Sequence, residues 1–446
     1  MDEVTIEYFR CFQERQTARL APLTLLVGQN STGKTSLMAM IRILWHAVFL
    51  GDQRPSFKDE PFDLGSFREV VHQSRKDDGP DQEFSAGIAV GDFKSDVKFR
   101  KGGVGPEVRR LQMKNAVAAA TWALSPDGHA TAEVKTSNGS WHIDADAPDI
   151  LGPGLTHFMR QENWGGFSLL SHLNANPSPV RGALPLTTGD KLALQGLILE
   201  PFFAIANRYS EKDLRVQPPV ATAPVRSRPR RTHDPGPGSL DPEGAGVPEH
   251  LAALSYSDAE QWKILKRAIE SCGQRAGVFD EIDIRPLGDD SSSDPFQIQV
   301  RTNTRDNEEQ WRNLIDVGYG VSQILPVILE LARPVESYML ILQQPEVHLH
   351  PSAQAGLGSM LCEVAATKRQ ILVETHSDHL IDRVRMDVRD RVSGLKPEDV
   401  SILYFERETD GVRIHNIRID NDGNIVDQPP SYREFFRQEL NRSLGI

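Results

Sequence analysis

The sequence predicts an α/β protein whose parallel sheet is built from both ends of the chain, with an antiparallel β subdomain and a helical insertion between them. Three observations support this prediction. Short apolar runs, typical of buried parallel strands, occur near the start (LTLLV) and again in the last third of the chain (YMLIL, QILVE). Each run is followed by a polar or glycine-rich turn and a helical apolar pattern. The middle of the chain alternates polar and apolar residues over short stretches, as a β meander does.

Composition narrows the class of protein. The chain has 446 residues, which exceeds a typical single core of about 100–200 residues. Hydrophobic residues make up 39% and charged residues 25%, which suits a globular protein. Because it lacks a long apolar run and its start, MDEVTIEYFR, is acidic, we expect a cytoplasmic protein without a membrane segment. A net charge of −12 argues against a surface that binds nucleic acid throughout, although a local basic patch remains compatible with it.

The first element with a chemical signature follows the strand at Leu23–Val27. The sequence GQNSTGKT, from Gly28 to Thr35, fits the pattern G-x-x-x-x-G-K-[ST] and leads into a helical pattern that begins at Lys34. Glycines let such a loop curl its backbone N–H groups around phosphates, and the positive end of the helix points at the same anion. Lys34 would reach the β- and γ-phosphates, and the Thr35 hydroxyl would bind Mg²⁺. The alternative is a glycine-containing turn that caps an ordinary helix.

The remaining pattern gives a provisional organisation of the chain. We expect residues 1–75 and 296–446 to form the two parts of one α/β core. Residues 76–150 read as the β meander, and 151–295 as a helical or irregular insertion. That insertion contains expected helices over 187–212 and 249–272 and a flexible loop, rich in proline and glycine, over 216–248. Near the end, SILYFER and GVRIHNIRID indicate a hairpin, and YREFFRQEL indicates a last helix.

A glycine-rich segment, DVGYGVSQ, precedes the apolar helix ILPVILELA. We expect Ser322 and Gln323 to open this helix, where unpaired N–H groups favour an anion. The alternative is a glycine-rich turn in which Ser322 is an ordinary N-cap.

The strand at Tyr338–Leu342 ends in QQPEVHLHP, where an enzyme acting on nucleotides needs acids. Gln343 and Gln344 stand there instead, and an amide neither accepts a proton nor balances the charge of Mg²⁺. The alternation of Glu346 with His348 and His350 leaves a metal cluster as an alternative. The cysteines Cys11, Cys272 and Cys362 are odd in number and far apart, so we expect neither a disulfide framework nor a cysteine zinc site.

Four motifs in this order, GQNSTGKTS, DVGYGVSQILPV, LILQQPEVHLHPSAQ and ETHSDHLI, resemble the RecF/SMC/OLD-like branch of the ABC ATPases. They are more similar to standalone bacterial AAA ATPases with a PExHLHP motif. The resemblance covers residues 1–75 and 300–446 and implies a P-loop NTPase of the ABC-ATPase head type. It implies ATP and Mg²⁺ as cofactors, and a head-to-head dimer or higher homo-oligomer that closes around ATP.

The resemblance also implies site residues. The Walker A loop comprises Asn30, Ser31, Thr32, Gly33, Lys34, Thr35 and Ser36. The signature motif comprises Gly318, Gly320, Ser322 and Gln323, and in this class it binds the γ-phosphate held by the opposite subunit. Gln343 stands at the Mg²⁺-binding position and Gln344 at the catalytic position of the Walker B pair. His376 resembles the switch histidine that senses the γ-phosphate, and its alternative role is structural.

The glutamine pair separates two hypotheses about activity. A positioned general base contributes about 10²–10⁴ in rate, so its loss predicts a slow or inactive ATPase that still binds ATP. Glu346 and Glu374 are the carboxylates that could replace it, and the sequence favours Glu374 because it ends a strand beside His376. Without turnover, the chain would be a scaffold held together by nucleotide. An engineered glutamine is a further alternative, which two adjacent glutamines disfavour.

Partners follow from the remaining features. Arg226, Arg228, Arg230 and Arg231 lie close together and suit phosphate binding, to DNA for example, or a solvated loop. About 70 residues follow THSD, with no pattern of the Toprim nuclease that OLD-like proteins carry. We therefore expect a separate effector protein, in a bacterial defence system against phage as in similar standalone ATPases. A RecF-like DNA-binding ATPase is the alternative.

Overall fold

The computed structural model describes residues 1–72, 82–125, 129–145, 180–181, 218–289, 293–302, 310–333, 339–367 and 369–432, with 189, 193, 196, 197 and 434 as isolated positions. The chain divides into two compact units, each assembled from separate stretches. The first comprises residues 1–20, 28–219 and 403–416, and the second 21–27, 220–402 and 417–446. The helices expected over 187–212 and at YREFFRQEL fall largely outside the described residues, and the four segment boundaries remain a prediction.

The first unit contains a nine-stranded antiparallel sheet, which confirms the expected β meander. Its order is β12-β11-β10-β9-β8-β7-β6-β1-β2, with a separate short hairpin of β4 and β5. The strands are β1 Glu3–Glu7, β2 Gln16–Arg19, β4 Lys58–Asp59, β5 Phe62–Asp63, β6 Glu83–Val90, β7 Phe93–Lys101, β8 Pro106–Lys114, β9 Ala118–Leu124, β10 Ala130–Thr136, β11 Gly139–Ala145 and β12 Val180–Arg181. Alternating burial along β7 and β8 shows why the sequence alternates there: one face of the sheet is covered.

The helices of the first unit begin with α1 (Lys34–Leu44), which continues as a π-helical turn at Trp45–Phe49. Most residues of α1 are buried, in agreement with its apolar sequence. The short helix α2 (Phe67–Val70) starts in a capping box, where Ser66 and Glu69 satisfy each other's backbone donors.

The second large sheet has seven strands, in the order β13-β17-β18-β3-β19-β20-β21. Its strands are β3 Leu23–Gly28, β13 Val220–Thr222, β17 Met339–Gln343, β18 Gln370–Glu374, β19 Val400–Glu408, β20 Gly411–Ile419 and β21 Ile425–Val426. The strands β13, β17, β18 and β3 are parallel neighbours. Every residue of β3, β17 and β18 is buried, which confirms the prediction from the apolar runs. The α/β fold class is therefore as expected.

The described part of the second unit also carries a small sheet and several helices. The sheet comprises β14 Glu281–Pro286, β15 Phe296–Arg301 and β16 Arg312–Asn313. The helices are α3 Val247–Ser257, α4 Ala259–Ala276, α5 Tyr319–Ala332, α6 Pro351–Thr367 and α7 Asp378–Asp390, with 3₁₀ turns at Leu314–Asp316 and Pro397–Asp399. None of the helices in the described ranges has the length and apolarity needed to cross a membrane.

One expected helix is two. The helical pattern over 249–272 is interrupted at Asp258, whose backbone is extended (φ −145°). The Asp258 carboxylate accepts a hydrogen bond from the Gln261 N–H at 3.0 Å and so caps α4. The single-helix prediction was wrong because an aspartate favours a cap over a helix interior.

The segment expected as a flexible loop over 216–248 has defined structure where it is described, from residue 218. It contributes β13, which pairs in parallel with β17. The Asp241 side chain accepts hydrogen bonds from the backbone N–H groups of Glu243, Ala245 and Gly246. The Ser227 N–H donates to the Glu243 carbonyl at 3.0 Å. The prolines and glycines thus shape tight turns that join hydrogen-bonded pieces.

Candidate nucleotide-binding site

The predicted phosphate loop, Gly28–Thr35, belongs to the first unit and has a backbone that requires glycine at residue 33. Gly33 has φ +91°, and a Cβ there would lie 2.5 Å from the Cys11 Sγ and 2.6 Å from the Phe12 ring. Ser31 also has a positive φ, +60°. The loop is therefore a tight, left-handed curl closed from below by neighbouring side chains, which is the backbone form that turns N–H groups towards an anion.

Helix α1 starts at Lys34 with no side-chain cap on its N-terminus and no acidic residue in its first turn. No carboxylate of this first turn therefore neutralises the positive end of the helix. Lys34 is 3% exposed, and its Nζ donates to the carbonyls of Gly28 and Gln29 at 3.0 and 2.8 Å. This buried ammonium is held at the loop, as a phosphate-binding lysine should be.

The other predicted loop residues differ in accessibility. Asn30, Ser31 and Thr35 are exposed and so are accessible to a ligand. Thr32 and Ser36 are buried, and the Thr32 hydroxyl donates to the Gln29 carbonyl at 2.8 Å, so Thr32 serves the loop's own structure. The hydroxyl oxygen of Thr35 is chemically suited to Mg²⁺, which prefers oxygen ligands.

The second unit brings together the residues at the carboxyl ends of β17 and β18. Gln343 is paired in register with Glu374, and both are buried. The Gln343 Nε2 donates to the Thr222 carbonyl on β13 at 3.2 Å. Gln344 has a positive φ of +43°, and its N–H donates to the Glu374 carbonyl at 2.8 Å. Gln343 is thus tied to β13 through its amide nitrogen, and its role as a metal ligand stays a prediction.

Glu346 is the carboxylate of this turn whose surroundings are best defined. It is 6% exposed, and its Oε1 accepts a hydrogen bond from the His376 backbone N–H at 2.8 Å. Its Oε2 is buried and makes no hydrogen bond of ordinary length with any residue that the structure describes. Burial raises the pKa of the Glu346 carboxyl, while the N–H of His376, the Thr375 hydroxyl and the charge of Arg226 oppose that rise.

His376 lies directly beyond Glu374 and is exposed, with its backbone fixed to Glu346. The next residue, Ser377, caps α7 by accepting the Leu380 N–H at 3.1 Å. The structure therefore groups Gln343, Gln344, Glu346, Glu374 and His376 at one end of the two strands, as the sequence predicts.

The alternative of a metal cluster at PEVHLHP finds no support in the geometry. His348 and His350 are exposed, whereas Glu346 is buried. The His350 ring lies 3.0 Å from the Ser352 hydroxyl at the start of α6. No group of three or more His, Cys, Asp or Glu side chains in the described part of the chain is arranged to hold a metal ion.

The signature motif differs from the sequence prediction in one respect. Helix α5 opens at Tyr319 rather than at Ser322, so the N–H groups of its first turn belong to Tyr319, Gly320 and Val321. Ser322 is only 8% exposed and its hydroxyl donates to the Tyr319 carbonyl at 2.7 Å. Gln323 is buried, and its Nε2 donates to the Ser227 carbonyl at 3.0 Å. The expectation that Ser322 and Gln323 open the helix was therefore wrong.

The earlier start of α5 has a packing reason. A Cβ on Gly320 would lie 2.3 Å from the His348 carbonyl oxygen, so glycine permits a close approach between α5 and the turn after β17. The Tyr319 ring contacts the His348 ring edge-to-face, with centroids 5.0 Å apart. The glycines of this motif thus serve a helix contact as well as a turn.

The arginine cluster contains a functional candidate that sequence reasoning missed. Arg226 is 3% exposed, and its Nη2 donates to the carbonyls of Gln343 and Gln344, both at 3.3 Å. Arg231 forms a bidentate pair with Asp316 at 2.8 and 2.6 Å. Only Arg228 and Arg230 are left as exposed arginines outside such pairs. The sequence around Arg226 carries no local signal for this buried role.

A comparison with protein families adds one assignment. Residues 204–382 match one family model. That model is described as "AAA domain, putative AbiEii toxin, Type IV TA system". The matched residues include the ends of β17 and β18 and the helix α5, but not the loop Gly28–Thr35. No curated protein matches the chain significantly.

Solved structures with a similar fold are heads of SMC proteins. An Smc head bound to the C-winged helix domain of ScpA is 8% identical, with a TM-score of 0.41, 94% of this chain and 98% of that chain being covered. The SMC head domain from Thermotoga maritima is 12% identical, with a TM-score of 0.36 and coverages of 94% and 99%. An Smc head with an extended coiled coil, bound to a C-terminal ScpA domain from Pyrococcus furiosus, is 8% identical, with a TM-score of 0.37 and coverages of 99% and 99%. At these identities and TM-scores, the similarities carry no argument about function.

Proposed function

We propose that this chain binds ATP through the phosphate loop Gly28–Thr35 and acts as an ATP-binding head of the ABC type. The observation that carries the proposal is the loop itself. Its curl needs glycine at residue 33, its helix start has no side-chain cap, and the Lys34 ammonium is held by loop carbonyls. An ordinary capping turn would need neither the buried lysine nor the positive φ.

Mg²⁺ fits the loop through Thr35, an exposed residue next to Lys34 that carries a hydroxyl oxygen. When bound with ATP, Mg²⁺ supplies charge neutralisation on the phosphate oxygens. Gln343 fits this role less well than a carboxylate because its amide oxygen carries no charge to balance Mg²⁺.

We further propose slow ATP hydrolysis in which Glu346 orients the attacking water. One oxygen of this carboxylate is fixed by the His376 N–H, and the other makes no hydrogen bond of ordinary length within the described part of the chain. A buried carboxylate with a raised pKa is also a better proton acceptor than an ordinary one near neutral pH. This choice differs from the sequence-based preference for Glu374, which remains the second candidate.

Self-association around ATP is the third part of the proposal, and it rests on the resemblance to ABC heads. The start of α5 supports it: Gly318 provides no side-chain cap, and the first turn holds no acidic residue. Tyr319 beside it is 47% exposed. The helix start can therefore bind an approaching phosphate, and the exposed Tyr319 ring offers an aromatic contact to a second protein surface.

The target of the ATP-controlled state is proposed to be a separate effector protein, in antiviral defence as in the standalone ATPases that the motifs resemble. The alternative of DNA binding loses support from the arginine cluster, because Arg226 is buried and Arg231 is paired with Asp316. Two exposed arginines on a chain of net charge −12 make a small footprint for DNA.

The test of the hydrolysis proposal compares Glu346→Gln with Glu374→Gln in a phosphate-release assay with ATP and Mg²⁺. We expect Glu346→Gln to lower the turnover at least about 100-fold, the lower range for a lost general base, with unchanged ATP affinity. Glu374→Gln should lower it less. Turnover that survives both substitutions would contradict the assignment of the water-orienting group, and the absence of turnover in the natural chain would favour the nucleotide-bound scaffold.

A further inference from the structure

Arg226, the first arginine of the basic segment 226–231, is buried within the second unit. Arg226 donates to two successive carbonyls, those of Gln343 and Gln344, in the turn that leads to Glu346. The second of these residues has a positive φ of +43°, a strained backbone conformation that persists only when surrounding contacts enforce it. Arg226 is one of the contacts that enforce this turn.

Charge supports the same assignment. Burial lowers the pKa of the Arg226 guanidinium to about 10, and the negative charge of Glu346 opposes this lowering. Reciprocally, Arg226 favours the ionised form of Glu346. Two buried groups of opposite charge stabilise each other mainly by preventing an uncompensated charge, so removing one partner is more harmful than removing both.

The segment after Arg226 is anchored independently of the turn. The Ser227 carbonyl accepts from Gln323 on α5, and the Arg231 carbonyl accepts from the Asn313 Nδ2 at 2.8 Å. Arg231 also pairs with Asp316. Residues 226–231 therefore connect the turn after β17 to α5, and the contacts of Ser227 and Arg231 do not involve the Arg226 side chain.

We propose that Arg226 is a positioning residue for ATP hydrolysis, which holds the Gln343–Gln344 turn and keeps the buried carboxylate of Glu346 in place. This inference rests on the proposed function, since it assigns to Arg226 a task in the reaction that Glu346 serves. Arg226 does not contact the reactants in this role. Within the basic segment, Arg226 thus supports the Gln343–Gln344 turn from inside the unit, and the exposed Arg228 and Arg230 take no part in this role.

The experiment measures ATP hydrolysis and ATP affinity for Arg226→Met and Arg226→Lys, with Arg228→Met as a matched control. Arg228 belongs to the same segment but is exposed. We expect Arg226→Met to lower kcat at least about tenfold while KM and the Kd for ATP stay within about twofold. Arg226→Lys should recover part of the loss, because it restores the charge but not the donor geometry that meets two carbonyls. The control should behave as the natural chain. An unchanged kcat in Arg226→Met, or a parallel loss of ATP affinity, would overturn the proposal.

A second measurement keeps the inference testable if the natural chain has no turnover, in which case the hydrolysis proposal alone has failed. Melting temperatures are compared for Arg226→Met, Glu346→Gln and the double variant, or for the corresponding Arg226→Gln series if the methionine variant does not fold. The melting temperature of the double variant should lie clearly above the value obtained by adding the two single shifts. The reason is that glutamine at residue 346 removes the charge that Arg226→Met leaves unpaired. Additive shifts would show that Arg226 does not support Glu346.

Discussion

The phosphate loop can be tested by filling the space that Gly33 leaves open. The substitution Gly33→Ala adds one methyl group at φ +91°, 2.5 Å from the Cys11 sulfur and 2.6 Å from the Phe12 ring. A left-handed backbone costs an alanine about 1–2 kcal/mol, and an overpacked methyl group costs about 1–3 kcal/mol. The expected loss is therefore about 2–5 kcal/mol of the free energy of unfolding.

That loss corresponds to roughly 4–20 °C in melting temperature, at about 2–4 °C per kcal/mol for a unit of this size. Gly105→Ala is a suitable control in the same unit, because nothing lies within 4 Å of its added Cβ. We expect the control to change the melting temperature by no more than about 2 °C. In Gly33→Ala the loop must also move away from its neighbours, so ATP affinity should fall at least about tenfold.

The assays are thermal unfolding followed by fluorescence and ATP titration calorimetry below the unfolding range. Adding Cys11→Ala to Gly33→Ala should recover part of the melting temperature, since it removes the sulfur but leaves the Phe12 ring. The reasoning is refuted if Gly33→Ala melts with the natural chain and binds ATP equally well. It is also refuted if the Cys11→Ala substitution recovers nothing.

Three further predictions concern the second unit. Tyr319→Arg places a cation at the positive end of α5 and should abolish ATP-induced self-association while leaving ATP affinity unchanged; an equal ATP-induced mass in light scattering would argue against pairing through this surface. Gln344→Glu restores an acid at a half-buried position and should raise the rate of phosphate release at least about tenfold, so a rate at or below that of the natural chain counts against it. Burial lowers the pKa of His233, against the charge of Glu249 at 3.3 Å, so the unfolded chain binds more protons and stability falls as pH drops below about 6.5. The melting temperature of the natural chain should therefore drop more between pH 7.5 and 5.5 than that of His233→Gln, and parallel curves would contradict this.

The sequence was sufficient for the parts of the fold that rest on local pattern. The buried strands β3, β17 and β18 are continuous apolar runs, and the meander alternates with the period of a half-covered sheet. The phosphate loop follows from a spacing that only a few backbone forms satisfy. Neither inference requires knowledge of distant contacts.

The parts that were missed depend on residues far apart in the chain. Nothing local to Arg226 indicates that the carbonyls of Gln343 and Gln344 will surround it. Likewise, Gly320 reads as a loop residue, and its place in α5 depends on the backbone of His348. The strand β13 has only three residues and becomes a strand by pairing with β17.

The central claim is that ATP binds at this phosphate loop, and calorimetric titration of ATP into Lys34→Ala tests it most directly. The natural chain and Lys94→Ala, which removes an exposed lysine of β7, serve as references. Because Lys34 is the one lysine or arginine within the loop Gly28–Thr35, its loss should weaken ATP binding at least about tenfold, or about 1.4 kcal/mol. We predict this loss in Lys34→Ala and none in Lys94→Ala. Equal ATP affinity in all three proteins would contradict the assignment of the site.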